Sequence, residues 1–426
     1  MTLKTNFCSS PWFHMMILNS GEFSYCRWNS QPTKGTIKDQ HPLTFFQTGL
    51  SEIRSTMLAG ESWSGCESCV VAEQQGKVSG REKQLLKTGI STDQFAKSFR
   101  SSPFYHEFEK SANAQGHTEL SPVDWQIDLG SYCNSGCVFC LPESSTKLAS
   151  EFKKLKIINE LPPRSWCDDP MLLNKFFDTL TAIPNLTYLH FLGGETIITP
   201  AFQVILTRLI DAGLNHNISI GFTTNLTQPS VEVVELLKQF KTVFIGMSIE
   251  CLHPVNDYVR WPSQLDAVTS VAHQWIDLAH HQDWRLVLRP TPTALTVSNL
   301  VSLYEFAWQQ NIPMESVNFL HRPAHMRMNV LPMTERHRVA DQLQHWLSQR
   351  QVPSTTKIIN YKDPGQTANE ILQDANSYVN YLRTAPDESD GLPDLVQYLK
   401  LLESSRSNCI LDYLPEYEDL FRSAGY

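Results

Sequence analysis

Long apolar runs are missing from these 426 residues: no stretch approaches the ~20 consecutive apolar residues that a bilayer-spanning helix requires. The opening, MTLKTNFCSSPWFHMMILNSG, has a short apolar stretch broken by His14 and lacks a small-residue cleavage pattern. It therefore does not read as a secretory signal, and a cytoplasmic protein is expected. No internal repeat or low-complexity tract occurs. A basic excess is absent too, since 35 Lys and Arg face 44 Asp and Glu for a formal net charge of −9, which argues against non-specific nucleic-acid binding. The charge is uneven. Residues 77–100 carry Lys77, Arg81, Lys83, Lys87, Lys97 and Arg100 against Glu82 and Asp93, whereas residues 387–420 hold nine acidic and two basic side chains. The basic run reads most simply as a solvated helix face.

What is present is ordinary bulk with an unusual arrangement of thiols. A hydrophobic content of 41% and a charged content of 19% suit a globular protein, and the length suits one large α/β domain with appendages. A reducing compartment argues against disulfides for the ten cysteines, so spacing decides between metal ligation and burial. Seven fall into two groups with short separations, while Cys167, Cys251 and Cys409 stand alone and read as small packing residues.

The first ~90 residues, rich in aromatics, Gly and Ser, read as a loop-rich module organised by a metal. A polar segment over 109–124 reads as a linker. From Trp125 short apolar runs alternate with amphipathic ones, the pattern of βα units. Strands are predicted at 125–129, 187–192, 218–222, 243–249, 285–290 and 315–319, with helices at 171–183, 201–213, 231–239, 265–280 and 298–310. Six strands joined by right-handed crossovers predict a partial (β/α)6 TIM-like barrel over 125–335. It follows an N-terminal module and connecting helix at 1–108 and precedes a C-terminal helical extension at 336–426.

The strongest motif is CNSGCVFC, directly after the first predicted barrel strand. Cys133, Cys137 and Cys140 can hold three irons of a [4Fe–4S] cubane and leave the fourth iron open. Zinc completed by Cys167 or a histidine is the competing reading. Upstream, Cys8, Cys26, Cys66 and Cys69 can supply four thiolates, to zinc or to a cluster with no open iron.

CxxxCxxC with an aromatic residue, Phe139, before its last cysteine resembles the signature of the radical S-adenosylmethionine superfamily. The resemblance implies that S-adenosylmethionine chelates the open iron and is reductively cleaved to a 5′-deoxyadenosyl radical that abstracts a substrate hydrogen atom. It also implies a flavodoxin- or ferredoxin-type electron donor. It extends to Gly193, Gly194 and Glu195, placed where the family binds the methionine amino group. Thr223, Thr224 and Asn225, then Ser248, Ile249 and Glu250, lie where relatives contact methionine or ribose, and Arg260 is placed like an arginine that pairs with the methionine carboxylate. In the first module C-x12-G-x4-C, with Gly21, resembles the opening of SPASM and twitch modules, which hold auxiliary [4Fe–4S] clusters. The order resembles a twitch subgroup with an N-terminal module. Trp12 and His14, then Gly76, Ser79 and Arg81, and Leu414, Pro415 and Glu416 recur there.

The substrate is less defined. Arg289, with His321, Arg322 and His325, follows the last two predicted strands, and converging positive groups suit a carboxylate or phosphate. The expectation is a compact anionic substrate: an amino acid, a nucleotide or an amino-acid-bearing base, with nucleic acid open as a partner through DNA-base modification. A peptide-modifying enzyme, a methyl- or sulfur-transferring enzyme, and a zinc-stabilised binding protein on a degenerate barrel are the alternatives. Isomerase, oxidoreductase and transferase outcomes all stay open.

Overall fold

The computed structural model describes residues 6–27, 29, 35–74, 79–163, 165–315, 319–351 and 364–426. Seven strands form one sheet: β1 (His14–Ile17), β2 (Phe23–Ser24), β3 (Asp124–Asp128), β4 (Tyr188–Leu192), β5 (Ser219–Thr224), β6 (Thr242–Met247) and β7 (Arg285–Leu288). Their order is β2-β1-β3-β4-β5-β6-β7, parallel throughout except for the β1–β2 pair. Consecutive strands from β3 onwards are neighbours joined through helices, as in a partial barrel. Beyond β7 only a parallel bridge from Leu288 to Met314 continues the sheet among the described residues, and 316–318 of the sixth predicted strand lie outside them.

The five βα units form where side-chain alternation and end signals agree. In β3, Trp125 and Ile127 are buried while Asp124, Gln126 and Asp128 take the other face. On the apolar face, rings of the crossover helices meet those of the strands: Phe176 meets Trp125, Phe202 meets Phe191 and Phe222, and Trp275 meets Phe222. Helix Pro170–Thr181 starts with proline, and the Asp169 side chain accepts from Met171 N at 2.8 Å. The opposite face of the sheet is polar. His14, Asp124, Tyr188 and Ser219 lie side by side in register, as do Gln126, His190 and Gly221.

The N-terminal part departs from the loop-rich expectation. Among the described residues it holds five helices of seven to nine residues between Ser51 and Asn113, and Phe7, Trp12, Phe99 and Phe108 pack ring against ring within the one continuous core that also takes in the strands. The three within the first ~90 residues, of eight residues each, are too short to give a readable period, whereas a connecting helix before residue 108 was expected. Helix Tyr105–Asn113 runs into the segment expected to be a linker, and β1 pairs in parallel with β3. The expected C-terminal helical region is present, with helices Met333–Ser348, Pro364–Thr384 and Leu392–Glu403.

Candidate cysteine centre and barrel lumen

The chain leaves β3 into the loop that carries Cys133, Cys137 and Cys140. Helix Thr146–Lys154 follows, and its capping Ser145 hydroxyl donates back to Ser135 O at 2.6 Å. The loop after β4 is laced to it, with Gly194 N donating to Gly130 O at 2.6 Å and Glu195 N to Tyr132 O at 2.8 Å. A Cβ on Gly194 would lie 2.4 Å from Tyr132 O and 2.8 Å from Cys133 Cβ, so close approach of the two loops demands the glycine. The three thiols act on one another electrostatically, and burial pushes Cys133 and Cys140 up to about 12. Thiols raised this far stay protonated unless a metal takes the protons' place, and three soft donors on one loop suit an iron–sulfur cluster.

Glu195 is fully buried beside Cys133. Its Oε2 accepts from Asn225 N at 2.5 Å, while among the described residues Oε1 has no hydrogen-bond partner. Burial pushes this carboxyl up to about 7, although the Asn225 N–H, the Thr224 hydroxyl and the Ile197 N–H pull it down. A buried carboxylate oxygen lacking a donor fits the ammonium of an S-adenosylmethionine molecule bound at the cysteine loop. Asn225 also ties the loop down, its Nδ2 donating to Asn134 Oδ1 at 2.9 Å and Ser135 Oγ at 3.0 Å. Ser248 stands half-buried just past β6.

Arg260 and Glu250 form a buried ion pair through two guanidinium nitrogens, and Thr291 N also donates to Glu250. Arg260 Nη1 lies 3.9 Å from Cys137 Sγ, and its guanidinium sits 5.4 Å from the centre of the Phe139 ring. Glu250 thus holds Arg260 against the cysteine centre.

Inside the sheet, Arg289 bonds Glu315 at 2.9 and 2.8 Å, Thr223 Oγ1 at 2.7 Å and His190 Nε2 at 3.2 Å. An arginine only donates, so Nε2 accepts and the proton sits on Nδ1, 2.8 Å from the Tyr188 hydroxyl. Burial and then Arg289 hold His190 well below its usual range, which fits this neutral form. Burial raises Glu315, but Arg289, Lys83 and Arg27 more than offset it. His321 and Arg322, in contrast, are exposed. Tyr188, His190 and Glu315 were not singled out in the sequence; for the first two the signal was the polar face that β3 and β4 share, where Asp124 pairs with Tyr188 and Gln126 with His190.

Cys8, Cys26, Cys66 and Cys69 line one pocket with Tyr25, Arg81 and Gln84. The first backbone N–H groups of helix Gly80–Lys87, those of Gly80 and Arg81, point at Cys69. Ser79 caps that helix, and its hydroxyl and the Arg81 side chain both hold Glu73. His14 pairs with Asp124 at 3.2 Å. Leu414 precedes a tight turn, Pro415–Tyr417, and Gly76 lies outside the described residues. Cys167 donates to Leu129 O at 3.0 Å, Cys251 is fully buried, and Cys409 faces the Tyr426 hydroxyl. Among the described residues no group of three or more His, Cys, Asp or Glu could hold a single metal ion. No described helix is long and apolar enough to cross a membrane.

Residues 127–273 match the family model of the Radical SAM superfamily, so the chain carries a radical SAM domain there. No curated protein matches the chain. Among solved structures it is similar to Streptococcus suis SuiB bound to S-adenosylmethionine, at 14% identity and a TM-score of 0.36 over 71% of this chain and 64% of that one. SuiB bound to its precursor peptide SuiA gives 14%, 0.38, 70% and 63% respectively. TYW1 with a lysine–pyruvate adduct gives 11%, 0.28, 50% and 70%. The chain thus spans less than two thirds of the SuiB chains it matches.

Proposed function

We propose that the chain is a radical S-adenosylmethionine enzyme acting on a compact anionic substrate held in the sheet's polar lumen. The observation that carries the reading is buried Glu195 beside the loop of Cys133, Cys137 and Cys140, its Oε1 without a hydrogen-bond partner among the described residues. A [4Fe–4S] cluster on those thiolates, with S-adenosylmethionine on its open iron, would supply reductive cleavage to methionine and a 5′-deoxyadenosyl radical.

The remaining roles belong to the chain. Glu195 receives the cofactor ammonium, Asn225 fixes the loop, and Arg260, held by Glu250, offsets negative charge at Cys137. Thr224 and Ser248 border the same end of the sheet. Arg289, now paired with Glu315, receives a carboxylate or phosphate only by giving up or sharing that partner, and its links to Thr223 and His190 fix the guanidinium plane. Cys8, Cys26, Cys66 and Cys69 hold a second cluster with every iron ligated by protein, which leaves it electron transfer or a structural task. Anaerobic reconstitution followed by reduction with dithionite and S-adenosylmethionine should release 5′-deoxyadenosine. Stoichiometric zinc with no iron and no cleavage would sink the reading.

A further inference from the structure

The middle of the cysteine loop is gripped from two sides. Gly136 N donates to Trp261 O at 2.8 Å and Val138 N to Val259 O at 2.9 Å, so the residues on either side of Arg260 hold both amides. The two carbonyls go elsewhere. Gly136 O accepts from Arg406 Nη2 at 2.8 Å, and Val138 O accepts from the Tyr398 hydroxyl at 2.9 Å. Every hydrogen-bonding backbone group of the residues on either side of Cys137 is therefore occupied, half of them by a region that lies beyond the matched family domain, 127–273.

The second grip is itself built. Arg406 is 3% exposed and Glu151 8%. They pair at 2.8 and 2.6 Å, with the Ser405 hydroxyl on Glu151 at 2.5 Å and the guanidinium 4.8 Å from the centre of the Trp261 ring. Glu151 sits on the helix that follows the cysteine loop, so one arginine joins that loop, its helix and the chain's last region. A buried ion pair costs desolvation and is weak evidence for stability alone. This one does more than pair: its charge reaches Cys137, as does that of Arg260, while Nη1 stays buried without a partner among the described residues.

We propose that Tyr398 and Arg406 are positioning residues of the cysteine centre, holding Cys137 in place, and that Arg406 also sets the electrostatic field at the cluster. The clamp stands on the hydrogen bonds alone; the field rests on the reading of Cys133, Cys137 and Cys140 as cluster ligands. Arg406→Met removes both contributions, Arg406→Lys keeps the charge, and Tyr398→Phe removes one hydrogen bond without touching charge.

Hydrogen exchange on the cluster-free, full-length protein reads the clamp. Exchange across 133–141 should rise several-fold in Tyr398→Phe and Arg406→Met while β5 and β6 keep the wild-type rates. No change at 133–141, or an equal rise in β5 and β6, overturns the clamp. Redox titration of the reconstituted protein reads the field, following the cluster whose electron paramagnetic resonance signal changes on adding S-adenosylmethionine. Its midpoint potential should fall in Arg406→Met and stay near wild type in Arg406→Lys and Tyr398→Phe. An unshifted potential in Arg406→Met overturns the electrostatic role. A preparation that takes up no iron overturns the cluster reading and that role together, while the exchange result still decides the clamp.

Discussion

Glu195 lets the cysteine centre be tested at one side chain. Its carboxyl, pushed from 4.5 up to about 7, binds a proton more tightly in the folded state than in the unfolded one. Its contribution to stability is thus present in full below about pH 4.5 and is lost as pH rises through about 7, a swing of about 3 kcal/mol. In cluster-free protein, Glu195→Gln should therefore melt above wild type at pH 8 and level with it at pH 5. Thermal scans at the two pH values check this, and parallel responses would mean that the carboxylate finds a partner after all. In the reconstituted enzyme the same variant should keep its iron yet bind S-adenosylmethionine one to two decades more weakly, the loss of a charge-assisted hydrogen bond of about 1.5–3 kcal/mol. Equilibrium binding measures it. That Glu195 comes to lie beside the cysteine loop was legible because a carboxylate after two glycines, one βα unit beyond that loop, is a local pattern. The partnership of Arg260 with Glu250 was not: both were read as facing the cofactor, and only folding shows that one carboxylate orients the other's guanidinium. Nor could sequence reveal that Arg289 points inward while His321 and Arg322 face solvent, because that depends on how the chain leaves β7.

At the scale of elements, the two loops that build the centre touch backbone to backbone. Gly194→Ala would drive a methyl group into Tyr132 O, where no flexible side chain can yield. It should cost about 1–3 kcal/mol and lower iron retention. Gly391→Ala, whose added carbon meets nothing nearer than 3.5 Å, is the control and should be nearly silent. Equal melting temperatures for the two variants would mean that the loops part easily. Strands β3 to β7 were readable within a residue or two at most ends, since each is a run of four to six residues in a chain of alternating apolar and amphipathic stretches. β1 was not. Four residues, HMMI, buried throughout, carry no alternation, and nothing local says that they join a strand far along the chain.

For the whole molecule, two cysteine groups predict about eight irons per chain if both hold cubanes, and about four after Cys133, Cys137 and Cys140 are replaced by alanine. Iron and sulfide analysis counts them, and an unchanged count in the triple variant would move the core cluster elsewhere. A soluble Cys66→Ala, Cys69→Ala protein should still release 5′-deoxyadenosine, since the core loop keeps its own contacts. If it does not, the second cluster relays the activating electron. The pairing of β1 with β3 has a history in time. His14 pairs with Asp124 across 110 positions, and β1 has no parallel partner until β3 has been made. During synthesis the first strand must therefore wait, paired only with β2, while everything between is added. Closing so long a loop is slow and its entropy must be met before any contact repays it. Folding that begins at the ribosome cannot finish the amino-terminal part first, and the two cysteine groups are set relative to each other only once the barrel's first strand has emerged.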